Sequence, residues 1–164
     1  MFISISGNLE SLKKSVISSL EQLYEIDMPE GSFLPGELAE RISFLTEEIN
    51  REIAVYLDRK GRVVDICVGD SSTVALLEVE GRRSRSRLSG IRCVHKHPNG
   101  SGRLSDIDIN ALAALKLDAM IAVGVRNGKP AEVYAALPPD PEYDTGMNAE
   151  IFVPYTPDSV ELNS

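Results

Sequence analysis

The sequence is poor in several features that mark particular classes of protein. Its 164 residues include only two cysteines and two histidines. No C-x-x-C pair occurs, which argues against a structural zinc knuckle. No apolar run approaches the roughly 20 residues that cross a bilayer, and no basic region precedes a hydrophobic stretch near the N-terminus. We therefore expect a cytoplasmic protein with no membrane partner, in which Cys67 and Cys93 are buried thiols kept reduced.

Positive charge is also scarce. The chain has 17 Lys and Arg against 25 Asp and Glu, which gives a net charge of -8 and a pI near 4.8. This balance argues against nucleic acid as a partner of the whole surface. One basic cluster lies in a predicted loop and consists of Arg82, Arg83, Arg85 and Arg87. These side chains either contact phosphates or an acidic strand, or they form a solvated loop. No aromatic residue is interleaved with them, so a base-stacking surface is not expected.

Hydrophobic periodicity predicts both helices and strands. Apolar residues recur at helical spacing over 9–23 and again over 38–49. The period then changes to two on either side of a turn at Lys60-Gly61, which is a hairpin signal. Its alternating residues are Ile53, Val55 and Leu57 on one strand and Val64, Ile66 and Val68 on the other. Further strands are predicted at 1–5, 73–79, 91–97, 120–125 and 132–137, with a helix at 107–117. We expect an α/β fold, a three-layer-like sandwich with a mixed central sheet flanked by helices.

Length and composition predict one domain followed by a tail. A hydrophobic content of 43% and a charged content of 26% are ordinary for a globular protein. We assign residues 1–137 to a single α/β domain, with a helical lead-in at 8–50 and a core at 52–137. From Leu137 onward the sequence has five prolines and six acidic residues but no Lys or Arg. Residues 138–164 are therefore expected to form a Pro-rich acidic tail or linker.

The densest chemical motif is H-x-H-P-x6-S-x2-D, which begins at His95 and uses both histidines of the chain. Alternation around them predicts a strand, so His95 and His97 project from one face and can converge on one cation. Pro98 ends this strand. Ser105 then begins a helical pattern that places Asp108 in its first turn. Two imidazoles and one carboxylate leave a fourth tetrahedral position for water, which favours metal-assisted hydrolysis.

Each part of the motif also has a simpler structural explanation. Ser105-x-x-Asp108 is similar to a capping box, with the hydroxyl capping the helix and the carboxylate favoured by its dipole. An H-x-H pair on a strand is often surface decoration or packing. If the H-x-H pair, the turn and Ser105-x-x-Asp108 each had only a structural role, there would be no reason for them to occur together in one strand-turn-helix segment. Their co-occurrence favours a zinc site made by His95, His97 and Asp108.

A hydrolytic site of this kind also needs a base. Glu52 is our candidate, because it stands where the second predicted helix passes to the first hairpin strand. Its carboxylate can reach the histidine strand if the two strands are neighbours in the sheet. The alternative is a solvated acid at the end of a helix.

These residues together resemble the JAMM (MPN+) metalloprotease motif, over about residues 38–137. That family is similar in fold to the cytidine deaminases and includes zinc-dependent isopeptidases. Asn50-Arg51-Glu52 before the hairpin is similar to the RadC-type branch, where S-R-E precedes a comparable hairpin. The resemblance implies that His95, His97 and Asp108 ligate Zn²⁺. It also implies that Glu52 holds and deprotonates the water and that Ser105 stabilises the oxyanion. The glycine-rich segment that follows the glutamate in eukaryotic isopeptidases is absent, which argues against a ubiquitin-like substrate.

A second resemblance covers nearly the whole chain. Several segments look like the N-terminal extension of HflX-type GTPases, which are ribosome-associated GTP-binding proteins. The segments are Gly7-Asn8-Leu9, 20–24, 35–50, 56–63 and Val68-Gly69-Asp70. No G-x-x-x-x-G-K-[ST] phosphate loop occurs, so the chain is not the GTPase module itself. The resemblance implies a leading domain whose partners are a GTPase module and the ribosome, with the arginine cluster (Arg82, Arg83, Arg85 and Arg87) available for rRNA phosphates.

Two hypotheses follow for the function. The first is a JAMM-type zinc metallohydrolase that cleaves a peptide or isopeptide amide bond in a substrate the sequence does not identify, as the N-terminal domain of an HflX-like protein. The second is a non-catalytic regulatory or ribosome-docking module of an HflX-type GTPase that keeps the fold and even the metal. Detection of bound metal does not distinguish the two hypotheses. Loss of activity in Glu52→Gln with zinc retained would support the metallohydrolase.

Overall fold

The computed structural model describes residues 5–26, 34–69, 91–96, 104, 108, 112, 117–126, 129–137, 150–154 and 159–160. Its helices are α1 (Lys14–Gln22), which continues as a 3-10 turn (Leu23–Glu25), and α2 (Gly36–Ile49). Its strands are β1 (Ile5–Gly7), β2 (Leu34–Pro35), β3 (Ile53–Leu57), β4 (Val63–Val68), β5 (Arg92–Lys96), β6 (Ala119–Arg126), β7 (Lys129–Ala136), β8 (Glu150–Pro154) and β9 (Ser159–Val160). Asp108 and Leu112 are also helical.

Seven strands form one mixed, open sheet in the order β1-β4-β3-β5-β6-β7-β8. β1 pairs with β4 and β5 pairs with β6 in parallel, whereas the other neighbours are antiparallel. β2 and β9 form a separate antiparallel pair. The α/β class with a mixed sheet, as the sequence predicts, is confirmed. β5, which carries His95, lies in the middle of this sheet between β3 and β6.

The larger hydrophobic core lies between the sheet and helices α1 and α2. Leu38, Ile42 and Leu45 of α2 are buried at the spacing of one helical face. Val16 and Leu20 of α1 join the same cluster. Alternate strand residues pack against them, namely Ile53, Val55, Leu57, Val94, Ile121, Val123, Val133 and Ala135. Because strand side chains alternate in direction, the intervening residues project from the opposite face of the sheet.

A smaller core covers that opposite face, which we call the site face. Its buried members are Ala54, Tyr56, Cys67, Ile91, Cys93, Leu112, Leu117, Met120 and Ala136. Leu112 follows Asp108 by four residues, and side chains four apart in a helix share a side. The burial of Leu112 therefore holds the segment that carries Asp108 against the site face.

The β3–β4 hairpin contains an irregularity that the alternating pattern does not predict. Its register shifts after the Tyr56–Asp65 pair, which makes Val64 an extra residue. Val63 packs in the larger core, whereas Val64 packs against the site face. The prediction that Val64 shares a face with Ile66 and Val68 is therefore wrong. One inserted residue reverses the direction of the side chains on either side of it.

Both ends of the chain differ in detail from the sequence-based expectation. α1 begins at Lys14 rather than near Leu9, because Ser11 has a left-handed φ of 64° that a right-handed helix cannot contain. The predicted first strand is β1, displaced to Ile5–Gly7, and residues 1–4 lie outside the described part of the chain. The segment expected to be a tail contributes two strands that the periodicity does not reveal. β8 extends the sheet beside β7, and β9 pairs with β2.

Some predicted features lie outside the described residues. They are the strand at 73–79, the arginine cluster (Arg82, Arg83, Arg85 and Arg87), and the turn that begins at Pro98. Within the part of the chain that is described, no helix is both long enough and apolar enough to span a membrane.

Candidate metal centre

His95 lies near the end of the central strand β5 and projects from the site face. Its neighbours across the sheet are Ala54 on β3 and Ala122 on β6. Both neighbours are small and buried, so the imidazole stands between two methyl groups. The ring itself has no exposed surface. A polar side chain buried at this depth requires polar partners, since an unsatisfied buried group costs about 1–3 kcal/mol.

Asp108 supplies one such partner. Its Oδ2 atom lies 3.2 Å from Nε2 of His95, and neither side chain has any exposed surface. The contact joins the middle of the sheet to the helical segment that Leu112 anchors on the site face. His95 and Asp108 are 13 residues apart in the sequence, and the fold brings them into direct contact.

Glu52 reaches the same place from the start of β3. It precedes Ile53 and shares the direction of Ala54 and Tyr56, because side chains two apart in an extended segment point the same way. Its backbone carbonyl accepts a hydrogen bond of 2.8 Å from the Gly69 amide, which fixes the chain at this point. The side chain is only 3% exposed.

Glu52, His95 and Asp108 form a buried cluster in which one potential ligand atom of each residue lies within 4.8 Å of the others. We call these three residues the acidic-histidine cluster. The sequence predicted that Glu52 reaches the histidine strand if their strands are neighbours, and β3 does pair directly with β5. The alternative acids were Glu47, Glu48 and Asp65. Glu47 and Glu48 are exposed on α2, and Asp65 lies on β4 opposite Tyr56 and is not a member of the cluster.

The electrostatics of the cluster are those of a tightly held charge pair. Burial by itself lowers the pKa of His95, but the contacts with Asp108 and Cys93 outweigh it and raise the pKa well above the usual value. In the cation-free state the imidazole therefore favours its protonated form beside the Asp108 carboxylate. A cation bound among these groups would stabilise carboxylate charge at this buried position.

The residues present fit a divalent metal. Two ligands that each stand about 2.0 Å from a tetrahedral zinc ion are about 3.3 Å apart. The 3.2 Å separation of His95 Nε2 and Asp108 Oδ2 matches that requirement. Imidazole nitrogen and carboxylate oxygen are also ordinary zinc donors. The cluster could therefore hold a metal ion, and its donor set does not by itself select which metal.

The remaining predicted site residues are His97 and Ser105, and both lie outside the described residues. Their assignments as a ligand and as an oxyanion donor stay predictions. His95 and Asp108, the two predicted ligands that the structure describes, are in contact.

Two further residues beside the site, Cys93 and Tyr56, were not predicted to belong to it, although Cys93 was predicted to be a buried thiol. Cys93 shares the face of His95 on β5 and pairs across the sheet with Tyr56. Both side chains are buried, at 0–1% exposure. The period-two pattern places Cys93 and His95 on one face, but the cross-strand register that brings in Tyr56 is not visible in the sequence.

Comparison with known proteins gives no relative: no protein-family model, no curated protein and no solved structure matches the chain.

Proposed function

We propose that this protein is a zinc-dependent amide hydrolase of the JAMM type, with His95, His97 and Asp108 as metal ligands. The observation that carries the proposal is the buried contact between His95 and Asp108 with Glu52 within 4.8 Å. Such a cluster concentrates two carboxylates and one imidazole where an apolar core would be expected. Buried charge without an evident packing role is a mark of functional sites.

When bound, zinc would supply Lewis acidity and lower the pKa of a water molecule to about 7. The chain's own residues have separate tasks. Glu52 would accept a proton from the attacking water and deliver it to the nitrogen of the cleaved amide, so that the carboxylate is regenerated. Ser105 would donate a hydrogen bond to the oxygen that becomes negatively charged on the substrate carbonyl.

The finer fold assignment belongs to the same proposal. Helices α1 and α2 pack on one face of the sheet and the Asp108 segment packs on the other. This arrangement supports the three-layer, cytidine-deaminase-like sandwich that the JAMM resemblance implies. We further propose that the domain belongs to an HflX-like GTP-binding protein, works in the cytoplasm and acts on an extended peptide or protein segment.

Metal content is the first test of the proposal. Protein purified without a histidine tag should contain or take up about one zinc per chain at neutral pH, and His95→Ala and Asp108→Asn should each abolish uptake. Glu47→Gln is the matched control, because Glu47 is an exposed acid on α2 and its change should leave uptake unaltered. No zinc in the purified protein and no uptake on titration would refute the metal site.

Activity is the second test. Zinc-loaded protein should cleave members of a diverse peptide library, whereas Glu52→Gln should retain zinc and lose at least about 100-fold in rate, the usual contribution of general acid–base catalysis. Equal cleavage by both proteins would indicate a contaminating protease and remove the support for catalysis.

A second candidate function is a non-catalytic module that docks on the GTPase module or on the ribosome. It is favoured by Phe44 of α2, whose ring is 65% exposed and lines a groove of about 290 Å³ with Ser19, Gln22 and Glu40. If no peptide is cleaved but Phe44→Ser weakens an effect of the domain on the nucleotide turnover of an HflX-type GTPase, this second function is supported.

A further inference from the structure

The turn between α2 and β3 determines where the segment that carries Glu52 begins. α2 ends at Ile49, and Asn50 has a left-handed φ of 53° while its amide still donates to the carbonyl of Thr46 at 2.9 Å. A left-handed residue directly after the last turn is a common way to end a helix. The chain therefore changes direction within one residue, and only Arg51 separates this turn from Glu52.

Arg51 ties the junction to the loop between β1 and α1. Its Nη1 atom donates to the carbonyl of Asn8 at 3.0 Å, and its Nη2 atom donates to the carbonyl of Glu10 at 2.7 Å. A guanidinium group is planar, so two such bonds restrain its direction as well as its distance from the acceptors. The junction is thus held at two points to a segment that is more than 40 residues away in the sequence.

Two backbone hydrogen bonds complete a ring that returns to Glu52. The Asn8 amide donates to the carbonyl of Val68 at 2.7 Å. The amide of the next residue, Gly69, donates to the carbonyl of Glu52 at 2.8 Å. The ring therefore runs from the Arg51 side chain through Asn8, Val68 and Gly69 to Glu52, which is covalently joined to Arg51. No member of a closed ring can move without displacing its neighbours.

The same two adjacent residues reach different parts of the molecule. The Arg51 side chain reaches the loop between β1 and α1, whereas the Glu52 side chain is 3% exposed and reaches His95 and Asp108. A shift of the backbone at Arg51 is therefore passed directly to the Glu52 carboxylate. Displacement of a reacting group by about 1 Å can lower a rate by about 100-fold.

We propose that Arg51 is a positioning residue for Glu52, which sets the distance between the Glu52 carboxylate and the attacking water. This inference rests on the proposed function, in which Glu52 moves the proton while His95, His97 and Asp108 hold the zinc. Arg51 acts through the backbone of Glu52 and is not itself a ligand. Its loss should therefore slow proton transfer and leave zinc affinity unchanged.

The first test needs no activity. Hydrogen exchange at the Gly69 amide is measured without metal in the wild type, Arg51→Lys, Arg51→Ala and the control Arg59→Ala. Arg59 is 73% exposed and pairs with Asp118 beyond the other end of β3, so its change removes an arginine without touching the ring. Because lysine lacks the planar fork, both Arg51 variants should exchange Gly69 at least about 5-fold faster, and Arg59→Ala should match the wild type.

The second test measures the zinc dissociation constant and the cleavage of the library peptide that the wild type cleaves fastest. Arg51→Ala should keep the zinc dissociation constant and KM within about 2-fold and should lower kcat by about 10–100-fold. The same change made in Glu52→Gln should cause little further loss, because the group that Arg51 positions can no longer accept a proton. A general loss of folding would lower the rate by the same factor in both backgrounds.

Two failures are distinguishable. If the wild type binds no zinc or cleaves no peptide, the proposed function fails and this inference falls with it. If the wild type is active but Arg51→Ala matches Arg59→Ala in Gly69 exchange and in kcat, the hydrolytic site stands and the positioning role is overturned. An equal loss of rate with and without the Glu52 carboxylate would assign Arg51 to general stability and would likewise overturn it.

Discussion

The Asp58 carboxylate closes the turn between β3 and β4. Its Oδ1 atom accepts hydrogen bonds of 2.9 Å from the backbone amides of Lys60 and Arg62, and its Oδ2 atom accepts one of 3.0 Å from Nε of Arg62. A side chain that accepts from the backbone two residues ahead is a common stabiliser of turns. Gly61, with a φ of 82°, supplies the left-handed residue that this turn requires.

This geometry predicts a pH-dependent loss of stability for substitutions of Asp58. Partial burial raises the pKa of Asp58, but the hydrogen bonds and charge of Arg62 outweigh it, and the pKa is lowered overall. Its contribution is therefore fully present above the unfolded pKa near 3.9 and is lost as the pH falls through the lower, folded value. Asp58→Ala should lower the free energy of unfolding by about 1–2 kcal/mol at pH 7. Asp58→Asn keeps the Oδ1 acceptor and should lose less than about 1 kcal/mol, since Arg62 is largely exposed.

Urea unfolding at pH 7 and at pH 2.5 checks this prediction. The difference between the wild type and Asp58→Asn should be smaller at the lower pH, because the carboxylate contribution is progressively lost below the unfolded pKa of about 3.9. If the difference in the free energy of unfolding is the same at both pH values, the charge of Asp58 does not contribute to stability.

At the scale of single residues, the sequence pointed to three residues that the fold brings together, Glu52, His95 and Asp108, but not to their surroundings. His95, Asp108 and Glu52 carry polar groups that an apolar core does not need, so their pattern is visible in the sequence alone. Cys93 and Tyr56 are ordinary members of strands and carry no such mark. The position of Tyr56 beside Cys93 depends on the register between β3 and β5, which no local pattern specifies.

Among the elements, β1 is held to the sheet by an unusually close approach. Gly7 has a φ of 93°, and a Cβ atom built on it would lie 1.9 Å from the carbonyl oxygen of Val68. The amide of the next residue, Asn8, donates to that same oxygen at 2.7 Å. Gly7→Ala should therefore separate β1 from β4, because an alanine adds both a backbone clash and left-handed strain.

We expect Gly7→Ala to lower the free energy of unfolding by more than about 1 kcal/mol. Ser6→Ala, next to it, removes only a hydrogen bond of 3.4 Å to the carbonyl of Ile66 and should cost well under that amount. Denaturant unfolding of both variants gives the comparison. Equal stabilities would show that β1 adjusts to the extra methyl group.

The loop between β1 and α1 depends on a side chain from the end of α2. Arg51 donates from Nη1 to the carbonyl of Asn8 at 3.0 Å and from Nη2 to the carbonyl of Glu10 at 2.7 Å. Because lysine lacks the planar fork that makes two such bonds, Arg51→Lys should loosen this loop. Hydrogen exchange at the Asn8 amide should become at least about 5-fold faster, which corresponds to the loss of about 1 kcal/mol.

Arg41→Lys is the matched control for that measurement. Arg41 pairs with Glu37 on the surface of α2, at 2.9 Å and with both side chains more than 40% exposed. A conservative change at an exposed pair has little effect on stability. Faster exchange at Asn8 in both variants would mean that the loop does not depend on Arg51.

The elements that the sequence predicted well are those in which burial dictates the pattern. α2, β3 and β6 each present alternating or helically spaced apolar residues to a core, so their hydrophobic period reveals them. The β-bulge at Val64 and the late start of α1 do not follow from any such period. They are set by pairing and by the left-handed residue Ser11, which are tertiary and conformational constraints.

For the whole molecule, burying the acidic-histidine cluster lowers the stability of the fold, although it also brings potential metal ligands together. The sheet is covered on both faces, and Glu52, His95 and Asp108 occupy the interior at exposures of 0–3%. Burial of polar groups at this depth reduces stability unless they are well paired, and a ligand that binds only the folded protein would restore it.

Two isosteric substitutions separate the roles of the carboxylates in global stability. Without metal, Asp108→Asn should lower the free energy of unfolding by about 3 kcal/mol, because it breaks the direct contact with His95 and leaves a buried imidazole. Glu52→Gln should have a smaller effect, because it keeps the shape of the side chain and leaves the contact between His95 and Asp108 in place.

Added zinc should then distinguish a ligand from a base. In the wild type, free zinc at 100 times its dissociation constant should raise the free energy of unfolding by about 2.7 kcal/mol. Glu52→Gln should keep most of that increment, since the proposed role of Glu52 is to move a proton, whereas Asp108→Asn should lose it. Thermal unfolding of these three proteins, each with zinc and with a chelator, gives the three comparisons. If Glu52→Gln loses the increment as completely as Asp108→Asn, Glu52 is itself a ligand, and the cluster binds its metal through the three side chains that the fold already brings within 4.8 Å.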